Sequence, residues 1–232
     1  MDWLERESVE MLEKMKEEVI RIGRIAQREG MCKHKAGNFS SRDEETGYIV
    51  VTPSGVDRED LVPDDMVVID TDARIIEYKK GLRPSSEVLM HIEIYKARPD
   101  VRHIVHTHSK YATVFAVLNK PIPAIVNEML LLNNQDFAIP VAKYGRSGSD
   151  ELARNVAEAL KHCDSALMAA HGAIACDANS LENAYLKTCY IEELAEVYHH
   201  TLTAAGGKEP PVLPFEEMQG VAYPAKIIFP EN

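Results

Sequence analysis

Helical and strand-like hydrophobic patterns alternate along this chain, and the alternation limits the folds that it can adopt. Apolar residues recur at helical spacing from Leu4 to about Arg28, and short β-branched runs separated by Gly, Pro and Asp follow. The link Thr71-Asp72-Ala73 between two of these runs predicts a β-hairpin, and therefore antiparallel pairing. We expect an α/β fold, an α/β/α domain with a mixed sheet.

The predicted elements cover most of the chain. The helices are expected over residues 4–28, 84–97, 109–118, 150–161 and 180–204, and the strands over residues 48–52, 66–70, 74–77, 101–107 and 166–170. Ser85 or Ser86 is the expected N-cap of the second helix. Five of the 12 prolines lie from Pro210 onwards, so the tail from about residue 209 is expected to be extended.

Composition excludes several classes of protein. The 232 residues fit a single domain spanning 1–232, and the net charge of −11 argues against nucleic-acid binding. No apolar run approaches the roughly 18 residues of a membrane span, and the charged first residues do not resemble a secretory signal. The four cysteines form no Cys-x-x-Cys pair, so we expect free thiols and a cytoplasmic location.

Two histidines near the end of a predicted strand form the first candidate site. Side chains alternate between the faces of a strand, so His106 and His108 point the same way, with side-chain origins about 7 Å apart, and His103 points to the opposite face. Two imidazoles at that separation can bind one metal ion. An isolated pair of this kind is more often two partly exposed histidines.

A third histidine strengthens the hypothesis of a metal site. His171 follows a second apolar run, and Gly172 permits a sharp turn directly after it. Two buried strands that both end in histidine would bring three ligands to one edge of the sheet, the usual arrangement of a catalytic zinc site with an open position. Taken alone, His171 would more often be a turn residue.

Glu87 lies in the first turn of the predicted second helix, where the helix dipole favours a carboxylate. The functional alternative is an exchangeable fourth metal ligand that also acts as an acid and a base. His91 lies four residues later and could share its face, and we interpret it as a structural neighbour.

Three clusters of small residues could bind an anion. They are Gly37-Asn38-Phe39-Ser40-Ser41, Thr52-Pro53-Ser54-Gly55 and Ser85-Ser86. Small residues expose backbone N–H groups and allow close approach of an anion, although each cluster alone is more often a turn or a cap.

In this order, these residues resemble the class II aldolase/epimerase family. The similarity runs from about Leu12 to His199, and its markers are Gly37-Asn38-x-Ser40, Thr52-Pro53-Ser54-Gly55, Ser85-Ser86-Glu87, Arg98-Pro99-Asp100, His106-Thr107-His108 and His171-Gly172. The resemblance implies a three-layer α/β/α sandwich around a mixed, mostly antiparallel sheet. It also implies a homotetramer with sites between subunits.

The resemblance also implies site roles. It implies a metal ion, Zn²⁺ with Co²⁺ or Mn²⁺ as alternatives, on His106, His108 and His171. Glu87 would cap the metal at rest and then serve as the acid and base. The phosphate of a sugar substrate would bind at Gly37, Asn38, Ser54, Gly55, Ser85 and Ser86.

Several reactions remain open on this resemblance. Glu87 favours reversible aldol cleavage of a ketose 1-phosphate, best matched by L-fuculose 1-phosphate, into dihydroxyacetone phosphate and an aldehyde, because the family's 4-epimerases carry Asp there. The alternatives are an L-ribulose-5-phosphate 4-epimerase, a 5-deoxy- or methylthio-ribulose-1-phosphate aldolase, a dehydratase or decarboxylase, and a non-enzymatic metal-binding assembly domain. Asn127 stands where the family's fucose-type members have a tyrosine for the aldehyde, and Tyr144 or Tyr223 could supply an aromatic group there.

Overall fold

One mixed sheet forms the centre of the computed structural model, which describes residues 3–220 and only the backbone of residues 3–9. In chain order the strands are β1 (Asn38–Arg42), β2 (Ile49–Val51), β3 (Val67–Ile69), β4 (Ile75–Glu77), β5 (His103–Thr107), β6 (Val141–Ala142), β7 (Ser165–Met168) and β8 (Gly172–Asp177). Their order across the sheet is β4-β3-β2-β1-β5-β8-β7-β6. Neighbours are antiparallel except β6 and β7, which confirms the predicted fold class.

Five α-helices flank this sheet within the described residues. They are α1 (Trp3–Arg28), α2 (Val88–Ala97), α3 (Lys110–Leu118), α4 (Asp150–Ala159) and α5 (Leu181–Ala204), and short 3-10 helices cover Pro63–Asp65, Asn127–Leu132 and Phe215–Met218. Two of the α-helices begin at a serine whose hydroxyl caps the first turn. The Ser149 hydroxyl accepts from the Leu152 N–H and the Ser180 hydroxyl from the Asn183 N–H, which explains where α4 and α5 begin.

The two faces of the sheet bury different sets of helices. Ile104 on β5 packs in the core that α2 and α4 form with the sheet, whereas its neighbour Val105 packs against α1 on the other face. A third core lies between α3, α5 and the β7–β8 end of the sheet. This alternation along β5 follows from the two-residue period of a strand, and it makes the molecule three-layered.

The start of α2 differs from the prediction. A helix was expected from Pro84, but the first helical residue is Val88 and the N-cap is Glu87, not Ser85 or Ser86. The Ser85 N–H donates to the Thr52 carbonyl at 3.0 Å, and Pro84 forms an isolated bridge with Pro53. These bonds to the neighbouring loop keep residues 84–86 extended, so the helix starts later.

The described part of the C-terminal tail packs onto the third core. The Leu213 N–H donates to the Ala124 carbonyl at 2.8 Å, and Met218 is buried. The proline count predicted an extended tail, and the short 3-10 helix at Phe215–Met218 interrupts it. No helix among residues 3–220 is long and apolar enough to span a membrane.

Candidate active site

Two adjacent antiparallel strands bring the three histidines of the sequence motifs to one edge of the sheet. His106 lies on β5, His108 follows the last residue of that strand, and His171 directly precedes β8. In the register of these strands Thr107 pairs with Ala173, so the end of β5 and the start of β8 coincide. His103 lies apart from this group, with its Nδ1 atom 2.9 Å from the Ser41 hydroxyl.

The imidazole rings form a compact triangle. All three pairs of ring centroids are 4.8 Å apart, and the rings meet nearly edge to face. The Nε2 atoms of His106 and His108 are 3.0 Å apart. His106 Nδ1 lies 2.8 Å from the Ala173 carbonyl, so it carries the hydrogen and donates it, which leaves the Nε2 lone pair free for a ligand bond.

Gly172 allows the triangle to close. A Cβ atom at this position would lie 2.3 Å from the Thr107 carbonyl oxygen and 3.3 Å from ring atoms of both His106 and His108. Any side chain there would push β8 away from β5 or displace the imidazoles. The glycine is therefore required by close packing beside the rings rather than by the turn alone.

The carboxylate of Glu87 lies beside the three imidazoles and is the fourth group of the cluster. Glu87 Oε2 lies 3.2 Å from His106 Nε2, and Oε1 lies 3.2 Å from His171 Nε2. Glu87 does not occupy the first turn of a helix, as the sequence predicted, and it forms no side-chain cap bond to α2. It is 5% exposed, so its orientation is set by its neighbours and not by solvent.

Electrostatics keep the Glu87 carboxylate ionised, and burial keeps the imidazoles of His108 and His171 neutral. Burial opposes ionisation of Glu87, yet the adjacent His106 and His171 rings and the Ser147 hydroxyl together hold its pKa below the ordinary value. Burial, followed by the charge of His106, lowers the pKa of His108 to about 3 and that of His171 to about 4. At neutral pH these rings therefore present lone pairs.

This donor set fits one divalent cation. The four residues Glu87, His106, His108 and His171 each offer a ligand atom, and all four atoms lie within 4.8 Å of one another. Ligand atoms around one tetrahedral Zn²⁺, at a Zn–N distance of about 2.1 Å, would lie roughly 3.4 Å apart. The observed separations of 3.0 and 3.2 Å are close to that value.

The three small-residue clusters converge beside Glu87. The Ser54 N–H donates to the Arg83 carbonyl at 2.9 Å, so the loop with Ser54 and Gly55 runs beside the segment with Ser85 and Ser86. Ser54, Gly55 and Ser86 are exposed, whereas Ser85 is buried with its hydroxyl accepting from the Glu87 N–H. The clusters therefore form one region next to the imidazoles.

The cluster that begins at Gly37 makes different contacts from the other two small-residue clusters. Gly37 has a φ of +75°, and a Cβ there would lie 2.4 Å from the Cys32 sulfur and 2.6 Å from the His106 carbonyl oxygen. The Asn38 side chain donates to Glu87 Oε2 at 3.0 Å and contacts His91 through its oxygen. Both side-chain polar atoms of Asn38 are therefore bonded to protein groups, unlike those of the exposed Ser54 and Ser86.

The residues expected at the aldehyde end lie outside the histidine cluster. Asn127 is exposed at the first position of a 3-10 helix, and Tyr144 has an exposed fraction of 64%. Tyr144 belongs to the loop that precedes α4, three residues before a serine that contacts Glu87. Tyr223 lies outside the described residues.

Ser147 is the site residue that the sequence reasoning missed. Its hydroxyl donates to Glu87 Oε1 at 2.9 Å. It lies 60 residues from Glu87 in the chain, in a loop whose glycines and serines are typical of any helix start. No spacing pattern connects residues this far apart, so only the fold reveals the contact.

Comparison with known proteins gives consistent matches. Residues 17–199 match the family model of the Class II Aldolase and Adducin N-terminal domain. The chain is 32% identical over 212 residues to the 5-deoxy-D-ribulose 1-phosphate aldolase of Bacillus thuringiensis serovar kurstaki, covering 91% of this chain and 95% of that protein. It is 35% identical over 189 residues to the L-fuculose phosphate aldolase of Escherichia coli K12, covering 82% and 83%.

A solved structure gives the same result. An L-fuculose 1-phosphate aldolase superimposes with a TM-score of 0.81 at 35% identity, covering 89% of this chain and 93% of that one. The fold and most of the chain length are therefore shared with these aldolases.

Proposed function

The chain belongs to the class II aldolase family, and from this membership we propose that it reversibly cleaves a ketose 1-phosphate into dihydroxyacetone phosphate and an aldehyde. It is a lyase of the fuculose-phosphate and ribulose-1-phosphate aldolase type, a class of enzymes that uses a divalent metal ion. The observation that carries the proposal is the cluster of three imidazoles and one buried carboxylate.

We propose Zn²⁺ on His106, His108 and His171, with Glu87 as an exchangeable fourth ligand. Three neutral imidazoles with one labile position are typical of catalytic zinc sites, and Co²⁺ or Mn²⁺ could bind the same donors. The bound cation would stabilise the negative charge that develops on the ketone oxygen of the substrate as the C–C bond breaks.

The chain's own residues supply the proton transfer. In cleavage, the substrate hydroxyl beside the breaking C–C bond loses a proton and becomes the aldehyde carbonyl, and the ionised Glu87 takes up one proton and gives it to the carbon that loses its bond. In the synthetic direction both transfers reverse, and Glu87 removes the proton from that carbon. Its burial and its position between His106 and His171 support this role, because a substrate bound to a cation on these rings would lie beside the carboxylate.

The substrate phosphate is proposed to bind where the three clusters meet. Exposed Ser54, Gly55 and Ser86 offer hydroxyl and backbone donors, with Gly37, Asn38 and Ser85 behind them. Because Asn38 directs its amide to Glu87 and His91, we assign to it a smaller part in phosphate binding than the sequence suggested.

Two substrates are candidates at the aldehyde end. L-Fuculose 1-phosphate, which would yield L-lactaldehyde, is the first, and a 5-deoxy- or methylthio-ribulose 1-phosphate is the second. The second is favoured by the similarity to the Rhodospirillum rubrum 5-methylthioribulose-1-phosphate/5-deoxyribulose-1-phosphate aldolase, 38% identical over 192 residues. Asn127, Tyr144 and Tyr223 remain the proposed contributors at this end.

We also propose a homotetramer with sites between subunits. Strand β4 is an edge strand with Ile75 and Ile76 45–48% exposed, and Tyr144 beside the site loop is 64% exposed, so apolar surface is available for an interface. A cytoplasmic location is proposed from the four free thiols.

A panel of ketose phosphates tests the function. Each substrate is incubated with the metal-loaded protein, and released dihydroxyacetone phosphate is measured with and without prior chelation. We expect release from one of the two substrate classes, abolished by chelation and restored by Zn²⁺. Equal release by chelated and loaded protein, or no release from any member, would contradict the proposal.

A further inference from the structure

A buried chain of hydrogen bonds leads from Glu87 into the space between β1 and α2. Asn38 Nδ2 donates to Glu87 Oε2 at 3.0 Å, and Asn38 Oδ1 lies 2.5 Å from His91 Nε2. His91 Nδ1 lies 2.6 Å from the Ser40 hydroxyl, which lies 2.7 Å from the Tyr95 hydroxyl. His91 and Ser40 are completely buried, and Tyr95 is 1% exposed.

The chemistry of the groups fixes the direction of every bond. An ionised Glu87 can only accept, so the Asn38 amide nitrogen donates to it and the Asn38 oxygen faces His91 as an acceptor. His91 Nε2 must then carry the hydrogen, and Nδ1 of the neutral ring accepts from Ser40. Ser40 has then used its one hydrogen, so it accepts from the Tyr95 hydroxyl at 2.7 Å, and the Arg102 carbonyl, 3.2 Å from that hydroxyl, is a second and weaker acceptor of the same hydrogen. Each hydrogen bond in the series therefore has one direction, and His91 has one tautomer.

Because these groups are buried, the side chains in this series of hydrogen bonds cannot easily rotate. Among the described residues, the buried side-chain atoms without a partner are Arg58 Nε, Thr107 Oγ1 and Ser109 Oγ, and none belongs to this chain. Breaking one of these hydrogen bonds would leave a buried polar group without a partner, which is unfavourable. Rotation of the Asn38 amide away from Glu87 is therefore unfavourable.

The groups in this series of hydrogen bonds cannot pass a proton along it to Glu87. The Asn38 amide stands between Glu87 and the imidazole, and an amide does not exchange its protons readily with neighbours. The far end reaches the Arg102 carbonyl, 3.2 Å from the Tyr95 hydroxyl, and not solvent. These hydrogen bonds can therefore orient Glu87, but they cannot supply its proton.

We propose that His91 is a positioning residue that holds the Asn38 amide, and through it the Glu87 carboxylate, in the orientation facing the imidazoles. The inference rests on the acid–base role proposed for Glu87. It extends that role by giving the Asn38 side chain a task at the carboxylate in addition to its smaller part in phosphate binding. Misplacement of a reacting group by about 1 Å can cost roughly 100-fold in rate, so even a small loss of order should be measurable.

Kinetics of single and double variants test the connection. His91→Phe should lower kcat by roughly 10-fold or more while KM changes little, because the reacting group is disordered but the substrate contacts remain. Asn38→Ala should lower kcat at least as much. If His91 acts through Asn38, the double variant should be no slower than the slower single variant. His91→Gln, which keeps a donor near Nε2, should restore most of the rate. Independent, multiplicative losses would overturn the proposal.

A spectroscopic readout separates positioning from activity. The visible absorption of Co²⁺-loaded protein reports the coordination of the metal, and Glu87→Gln supplies the reference spectrum without the carboxylate. The spectra of His91→Phe and Asn38→Ala should both shift from the wild-type spectrum towards that of Glu87→Gln. The double variant should shift no further than the single variants, and the spectrum of His91→Gln should match that of the wild-type protein. Wild-type spectra for His91→Phe and Asn38→Ala would contradict the proposal.

The control is another buried aromatic residue far from the site. Tyr198 on α5 is 2% exposed and donates its hydroxyl hydrogen to Glu209, so Tyr198→Phe also removes one hydrogen bond. It should leave kcat and the Co²⁺ spectrum unchanged. If the wild-type protein turns over none of the ketose phosphates, the proposed function fails, whereas the spectra still decide whether His91 positions Glu87.

Discussion

At the scale of single residues, the site depends on groups that approach one another more closely than ordinary side chains allow. The Nε2 atoms of His106 and His108 stand 3.0 Å apart, and both rings pack against the backbone at Gly172. A bound cation would make this proximity favourable, because both Nε2 atoms would then be its ligands. Small changes beside the rings should therefore affect the metal before they affect the fold.

Gly172→Ala should weaken metal binding. Its Cβ would lie 2.3 Å from the Thr107 carbonyl oxygen, which belongs to rigid backbone and cannot give way cheaply. We expect at least a roughly tenfold increase in the dissociation constant for Zn²⁺, the range seen when groups that orient metal ligands are altered. Competition with a metal chelator measures this constant.

Gly23→Ala is the matched control. This glycine lies on α1, and a Cβ there meets Arg58 Cδ at 3.4 Å, which is ordinary van der Waals contact. Zn²⁺ affinity should be unchanged in that variant. Equal affinity in Gly172→Ala and wild type would show that the close approach at Gly172 does not hold the ligands.

At the scale of elements, the site is stabilised by a helix that begins directly after its histidine strand. The N-cap of α3 is Ser109, but its hydroxyl makes no cap bond. The first N–H groups of α3, those of Tyr111 and Ala112, instead donate to the two carboxylate oxygens of Glu192 on α5, each at 2.9 Å. A distant carboxylate therefore caps the helix that fixes the position of His108.

Glu192→Ala should destabilise the protein by about 1 kcal/mol, the usual cost of removing a helix cap. Urea unfolding measures the change, and Glu193→Ala, an exposed neighbour on the same helix, is the control. The free energy of unfolding should fall only in the first variant. An equal effect in both would mean that α3 needs no cap from α5.

Strong periodic elements could be predicted from the sequence, and weakly patterned ones could not. Helices α1 and α5 and strand β5 were expected near their observed bounds, because apolar residues recur along them at regular spacing. Strands β1 and β8 were not predicted. The first is mostly polar, reading Asn-Phe-Ser-Ser-Arg, and the second begins with small residues, so neither shows a two-residue alternation.

The candidate site was predictable to a similar degree. The three histidines and Glu87 were chosen from strand geometry and family markers, and the structure brings them together. Ser147 and the link from Glu87 through Asn38 to His91 join residues that are 60, 49 and 53 positions apart. Contacts of that kind depend on strand order and register, which no local pattern encodes.

At the scale of the whole molecule, burial of neutral histidines connects the site to the stability of the fold. Burial, followed by the charge of His106, lowers the pKa of His91 to about 3, below its ordinary value of about 6.5. The unfolded chain takes up a proton near pH 6.5 that the folded chain accepts only near pH 3. The contribution of neutral His91 to the stability of the folded state is therefore complete above its ordinary pKa of about 6.5, and it is lost as the pH falls below that value.

Acid should therefore destabilise the chelator-treated protein, in part through His91. Between pH 7 and pH 5 we expect the free energy of unfolding to fall by roughly 2 kcal/mol more in the wild-type protein than in His91→Gln. His103, whose pKa burial lowers to about 4, titrates in both proteins and cancels in the comparison. Urea unfolding at the two pH values measures the difference. Identical losses would show that His91 does not remain neutral in the fold.

The central claim is that Glu87 exchanges a proton with the carbon beside the ketone at the metal site. Dihydroxyacetone phosphate alone, without any aldehyde, tests it directly in D₂O by NMR. Metal-loaded wild-type protein should replace one hydrogen of the hydroxymethyl carbon with deuterium, and Glu87→Gln, with its metal retained, should do so at least roughly 100-fold more slowly. Absence of exchange in the loaded wild-type protein, or equal exchange in both proteins, would contradict the account.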